Sequence, residues 1–161
     1  VYRFLRKLGY DHKDAAEIKA PTYVKRVIDS ELTLPEDYRR LTEKGSFAAR
    51  CRKYLEDRNF DIDYLDYLGL GYSIAEGRII IPFLKGGVLA YYTGRTIVGN
   101  ELKYKNCNRP RNDLFYNEDA LDLQNKIYVT EGPFDALSCG PEGIANCTKI
   151  ISKVNLLKLI D

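Results

Sequence analysis

The sequence predicts a mixed α+β / α/β chain: a helical N-terminal segment, a small, mainly antiparallel basic β subdomain, and the start of a Rossmann-like parallel sheet. Three observations carry this. Residues 46–68 place apolar side chains at helical spacing. Residues 78–106 read as successive strands joined by glycine-bearing turns. Lys126–Leu137 (KIYVTEGPFDAL) passes directly from a short apolar run into a helix-like segment. The boundaries expected are 1–45, 46–122 and 123–161.

Taking the elements in order, Phe4, Leu5 and Leu8 recur at helical spacing and Gly9 ends that helix as a C-cap. Asp11 caps a second helix reaching about Lys19, halted before Pro21; His12 at its start is given no role. Residues 21–45, with Pro21, Pro35 and mixed charge, read as a connector holding a partial helix. Ser46 is expected to cap Phe47–Arg58, whose apolar face is Ala48, Cys51, Tyr54 and Leu55. Asp61 starts a short helix, Ile62–Leu68, closed by Gly69-Leu70-Gly71-Tyr72.

Arg78–Phe83 is a strand, Lys85-Gly86-Gly87 a hairpin turn, and Val88–Ile97 the partner strand. Val98-Gly99-Asn100 turns the chain into Glu101–Asn106. Ile127-Tyr128-Val129, β-branched and aromatic, reads as a buried strand that stops at Thr130-Glu131-Gly132, with Pro133–Ser138 helical after it.

Net charge is +2, which conceals an asymmetry. Residues 78–111 carry seven basic side chains (Arg78, Lys85, Arg95, Lys103, Lys105, Arg109, Arg111) and one acidic, Glu101; residues 112–161 carry eight acidic and four basic. A basic region beside an acidic one suits a protein that grips a polyanion next to a metal site. No apolar run approaches the roughly 20 residues that cross a bilayer, and Arg3, Arg6 and Lys7 precede no apolar signal region. Cys51, Cys107, Cys139 and Cys147 form no C-x-x-C pair and His12 is the only histidine, which argues against a zinc site and for reduced thiols.

Two groups of residues carry chemistry. Glu131 falls at the carboxyl end of a strand and Asp135 in the first turn of the following helix, where open α/β sheets bind ligands. Two such carboxylates suit a hard divalent cation or proton transfer on a phosphate ester. The same pattern also fits a solvated strand end and an acid that complements the helix dipole. Upstream, Tyr91, Tyr92 and Tyr104 interleave with Arg78, Arg95, Lys103 and Lys105, so that cations neutralise phosphates and rings stack bases. A solvated sheet face with core tyrosines would read the same way.

The order of these features resembles the RNA polymerase core of bacterial and phage DNA primases of the DnaG (Toprim) type. The matching pieces are Tyr54–Phe60, Leu68–Tyr72, Gly77–Phe83, Tyr92–Ile97, Leu102–Asn106, Leu114–Asn117 and Glu131–Ala136, running from about residue 50 to 147. Glu131-Gly132-Pro133-Phe134-Asp135 is the more phage-like form of the first Toprim motif. The resemblance implies Mg²⁺- or Mn²⁺-dependent synthesis of RNA primers from ribonucleoside triphosphates on single-stranded DNA. It makes Arg78, Arg95, Lys103, Tyr104, Lys105 and Asn106 the nucleic-acid contacts, and Glu131 and Asp135 the metal and catalytic carboxylates. It further implies a replicative helicase as partner, a bacterial cytoplasmic setting, and zinc only in a module outside this chain, with residues 1–20 as the tail of that module or of its linker. Gly143–Thr148 then reads as the second Toprim strand and Val154–Ile160 as a helix. The family's Asp-x-Asp strand is expected beyond Asp161, so residues 1–161 alone are expected to be inactive. The competing readings are a Toprim nuclease or topoisomerase-like enzyme, and a non-catalytic single-stranded DNA-binding module.

Overall fold

The computed structural model describes residues 32–99, 102–110, 113–123 and 126–160. The two helices expected before Pro21 lie outside these residues. In chain order come strand β1 (Arg39–Arg40), helices α1 (Ser46–Glu56) and α2 (Ile62–Tyr67), and strands β2 (Gly71–Ser73), β3 (Arg78–Lys85), β4 (Val88–Thr96) and β5 (Tyr104–Asn106). A 3-10 turn (Glu118–Leu123), strand β6 (Tyr128–Thr130), helix α3 (Pro133–Ser138), a second 3-10 turn (Gly140–Glu142), strand β7 (Gly143–Ala145) and helix α4 (Lys153–Lys158) follow. β1 to β5 form one sheet in sequence order with antiparallel neighbours, and β6 and β7 a parallel pair. The mixed α+β class read from the sequence is the class observed. Two compact units result: one joins Tyr92–Cys107 to the residues before Phe83, the other joins Phe83–Tyr91 to the residues after Cys107.

In the first unit, Ala48, Cys51 and Leu55 of α1 are buried. Closing a side chain such as Leu55 away from water contributes roughly 1.5–3 kcal/mol. Tyr54, expected on the same face, is only half-buried. The helix cap also differs from expectation. Gly45 occupies the N-cap position at φ 153°, ψ 157°, and Ser46 is the first helical residue, with no side-chain cap. That backbone region is almost exclusive to glycine, so the glycine starts the helix by conformation and Ser46, one position inside the helix, does not act as the cap. Asp61 behaves as expected, accepting from the Tyr64 N–H at 2.9 Å. Both helices end alike: Asn59 and Gly69 take positive φ, while Phe60 donates to the Leu55 carbonyl and Leu70 to that of Leu65. In the described part of the connector, residues 32–45, β1 occupies Arg39–Arg40; the rest of the connector, with the partial helix expected in it, lies outside the described residues. At Gly71 a Cβ would lie 2.3 Å from the Arg39 carbonyl and from the Tyr38 ring, so only glycine lets β1 and β2 pair there.

β3 is buried from Arg78 through Phe83, which explains its unbroken apolar run. Pro82 falls two residues past the last position paired by β2, where its missing N–H costs nothing on that side. Gly86 and Gly87 both take positive φ, as the tight β3–β4 hairpin turn requires.

The second unit contains the hairpin tip, where Phe83 meets the rings of Tyr91 and Tyr116 edge-on at 5.2 and 5.3 Å. The Asp119 carboxylate accepts from the Gly86 N–H at 3.0 and 2.9 Å. Glu118, buried, accepts from the ammonium groups of Lys85 and Lys158, each at 2.8 Å, and from the Phe115 N–H. Burial pushes the Glu118 carboxyl up, but the hydrogen bonds from Lys158, Lys85 and Phe115 prevail and hold it below the ordinary value. Phe115, Ala120 and Ile144 form a small core with Leu121, Ile127 and Leu159 against it.

β6, α3 and β7 make a βαβ unit. A Cβ on Gly143 would lie 2.0 Å from the Ala136 carbonyl, so α3 rests directly on β7. Tyr116 and Ala145 exchange backbone hydrogen bonds on β7's other side. β6 departs from expectation: Tyr128 and Val129 are 44% and 43% exposed. Among the described residues β6 pairs with no strand but β7, and an apolar run is buried only where something covers it. α4 spans Lys153–Lys158, with Ser152 accepting from the Asn155 N–H as its cap.

Candidate functional site

Two sites emerge, one in each unit. In the first, β4 and β5 pair with Arg95 directly opposite Tyr104. The Arg95 guanidinium lies over the Tyr104 ring, 5.1 Å from its centroid, and the Lys103 ammonium lies 6.0 Å from the same ring. Arg95 also faces Tyr54 of α1 at 5.9 Å, and Arg58 stacks on that ring at 3.9 Å. Three cations thus share two tyrosine rings. Ring faces attract guanidinium groups and hold them flat without neutralising them. The Arg95 Nε is buried with no hydrogen-bond partner among the described residues. A cation held this way stays available to a phosphate, and an adjacent ring to a base.

The structure brings together Arg95, Lys103 and Tyr104 of the six expected contacts. Lys105, on the same strand, pairs with Glu76 at 2.9 Å. Asn106 accepts through its side-chain oxygen from the Thr93 hydroxyl at 3.0 Å. Arg78 is buried, its guanidinium donating to the carbonyls of Gly94 at 3.2 Å and Leu102 at 2.9 Å. Its charge sits inside the sheet rather than on its face. Tyr54 and Arg58 were not singled out as contacts. Their i, i+4 spacing at a helix C-terminus was the available signal, and what it lacked was the knowledge that α1 ends beside Arg95.

In the second unit, Glu131 and Asp135 are both exposed. Glu131 follows the last residue of β6, and Gly132 caps α3 in extended conformation with Pro133 next. Asp135 turns back over this helix start, its Oδ2 3.2 Å from where a Cβ on Gly132 would lie. The next strand end adjoins this edge, for Asn146 donates its N–H to the Thr130 carbonyl at 3.0 Å. Mg²⁺ prefers one or two carboxylates, several waters and substrate phosphates over an all-protein cage. Two exposed oxygen-donor side chains fit that mode. Among the described residues no three His, Cys, Asp or Glu side chains converge as a closed cage would need.

An antiparallel sheet bearing ring-stacked cations, followed by a βαβ unit with acids at its strand-to-helix turn, defines the fold class to be matched. No family model and no curated protein matches the chain by sequence. Solved structures do match by fold. The E. coli primase catalytic core aligns at TM-score 0.61 and 16% identity, over 72% of this chain and 53% of that one. A DnaG primase catalytic domain bound to ssDNA aligns at 0.60 and 15%, over 73% and 54%. The RNA polymerase domain of Mycobacterium tuberculosis primase DnaG, in complex with a double-stranded DNA oligomer with a 6-nucleotide overhang, aligns at 0.59 and 17%, over 72% and 52%. The chain therefore shares the fold of part of the DnaG primase catalytic core, as the order of sequence motifs led us to expect. It spans about half the length of the structures it matches. No helix among the described residues is long and apolar enough to cross a membrane.

Proposed function

We propose that this chain belongs to a DnaG-type DNA primase and contributes to RNA primer synthesis on single-stranded DNA. The observation that carries the reading is the fold. It is supported by Glu131-Gly132-Pro133-Phe134-Asp135, which follows a parallel strand and opens a helix in a chain whose fold is like that of the DnaG catalytic core. The complexes of two fold neighbours with single-stranded and overhanging DNA support a polynucleotide as the ligand.

On this reading Arg58, Arg95 and Lys103 hold template phosphates, and Tyr54 and Tyr104 offer ring faces to bases. Lys105 and Asn106 flank that surface, with Lys105 reaching a phosphate only by leaving Glu76. Glu131 and Asp135 are the side chains that would hold Mg²⁺ or Mn²⁺ at the Toprim turn. Such an ion supplies charge neutralisation for a triphosphate and lowers the pKa of an attacking hydroxyl. In the reaction the 3′-hydroxyl oxygen bonds to the α-phosphorus of a ribonucleoside triphosphate, the α–β bridging bond breaks, and pyrophosphate leaves. Glu131 is positioned at the strand end either to hold the ion or to accept the hydroxyl proton.

The test is Glu131→Gln in the full-length protein, read as ribonucleotide incorporation on single-stranded DNA with Mg²⁺. Synthesis should fall about a hundredfold or more while template binding persists. Primer synthesis at the unaltered rate removes the acidic turn from the mechanism. Binding without synthesis in either form would favour the non-catalytic DNA-binding reading, and cleavage or relaxation of DNA the nuclease or topoisomerase reading.

A further inference from the structure

Arg78 has no place on the cationic surface, yet its geometry ties it to that surface. Its stem lies flat against Gly94: a Cβ there would approach the Arg78 Cδ to 2.9 Å, its Cβ to 3.3 Å and the Ile80 Cδ1 to 3.5 Å. The side chain thereby passes across β4 and delivers its guanidinium to two carbonyls. One is Gly94 itself; the other is Leu102, which lies outside the strands and immediately precedes Lys103 and Tyr104. Leu102 is 80% exposed, so its own side chain does not anchor that segment. The neighbouring Lys103 carbonyl accepts from the Thr96 N–H at 3.2 Å, and β5 begins at the next residue.

From this we infer that Arg78 is a positioning residue for nucleic-acid binding, and that Gly94 is the gap that admits it. The guanidinium offers five donors in a rigid fork. That fork pins the approach to β5, so that Lys103 and Tyr104 meet Arg95 in the stacked arrangement rather than sweeping through solvent. Ordering the segment before binding removes part of the entropy that template capture would otherwise cost. A lysine at 78 keeps the charge and loses the fork. The inference rests on the proposed DNA-binding role of Arg95, Lys103 and Tyr104, and it assigns Arg78 a different task from a phosphate contact.

Gly94→Ala tests it, because the substitution displaces the Arg78 arm while leaving every charge in place. Binding of a fluorescent single-stranded oligonucleotide is measured for the full chain, for Gly94→Ala, for Lys103→Ala and for the double variant, at several salt concentrations. Gly94→Ala should weaken binding about fivefold, an effect comparable to losing one phosphate contact. The two effects should not add: once Lys103 is gone, displacing Arg78 should cost less than about twofold more. Wild-type affinity in Gly94→Ala, or full additivity with Lys103→Ala, overturns the inference and leaves the binding surface intact. Absence of single-strand binding by the unsubstituted chain overturns both. Should Gly94→Ala not fold, Arg78→Lys takes its place in the same cycle, with the same two outcomes decisive.

Discussion

The two units handle charge in opposite ways. In the first, Arg58, Arg95 and Lys103 rest on tyrosine rings, while the sheet's buried guanidinium, Arg78, is engaged by backbone carbonyls. In the second, Lys85 and Lys158 converge on the buried Glu118, while Glu131 and Asp135 stand exposed at a strand-to-helix turn. Each unit therefore contains one ionic system that holds the fold and another left open to solvent. Burial together with pairing marks the framework, and exposure on a built support marks the charges that a ligand can use. Residue type alone separates neither pair.

That division is open to test, beginning where the largest effect is expected. Glu118→Gln leaves Lys158 largely buried without its counter-charge, and should cost about 3 kcal/mol in urea unfolding. The half-exposed Lys85 adds little to this. The pH dependence follows from the lowered Glu118 carboxyl. A depressed pKa gives stability that is fully present above the unfolded-state value of about 4.3 and is lost as pH falls through the folded one. The wild-type chain should lose stability on acidification in that window, and Glu118→Gln should lose less there. Equal acid sensitivity in the two proteins would count against Glu118 as the framework charge.

Arg58→Ala addresses the other side of the division. Affinity for single-stranded DNA should drop about threefold to fivefold, and the salt dependence should flatten by about 0.7 in log–log slope. Unfolding free energy should change by less than about 1 kcal/mol, since an exposed cation–ring contact contributes about that at most. A large loss of stability with unaltered DNA binding would move Arg58 into the framework. The smallest effect is expected from Glu131→Gln on stability, within about 0.5 kcal/mol by the same urea measurement. A cost above about 1 kcal/mol would show that Glu131 supports the fold.

Much of this architecture is legible in local sequence. Asp61 as a helix cap, Gly86-Gly87 as a hairpin turn and the apolar run of β3 each follow from short-range chemistry, and each is observed. Ser46 misled because serine is a common cap, whereas Gly45 carries a backbone conformation that a serine side chain cannot enforce. Ile127–Val129 misled for a different reason. β-Branched and aromatic residues report a preference for pleated backbone, and burial depends on neighbours that the run itself does not specify. At the candidate sites, the charge asymmetry marked the stretch that holds the ring-stacked Arg95 and Lys103, but it ranked Arg78, Arg95 and Lys105 equally.

By itself, then, the sequence determined the mixed α+β class, the order of α1, α2 and the elements from β3 to α4, and the position of Glu131 and Asp135 at a strand-to-helix turn. These depend on side-chain periodicity and turn chemistry, which act over a few residues. Tertiary structure alone decided which cations are available. Only packing brings Arg58 beside Arg95 across 37 residues of chain, turns Arg78 inward over Gly94, and closes Glu76 on Lys105. Whether a charge faces water or a carbonyl is a property of its surroundings, and those are assembled from residues far apart in sequence.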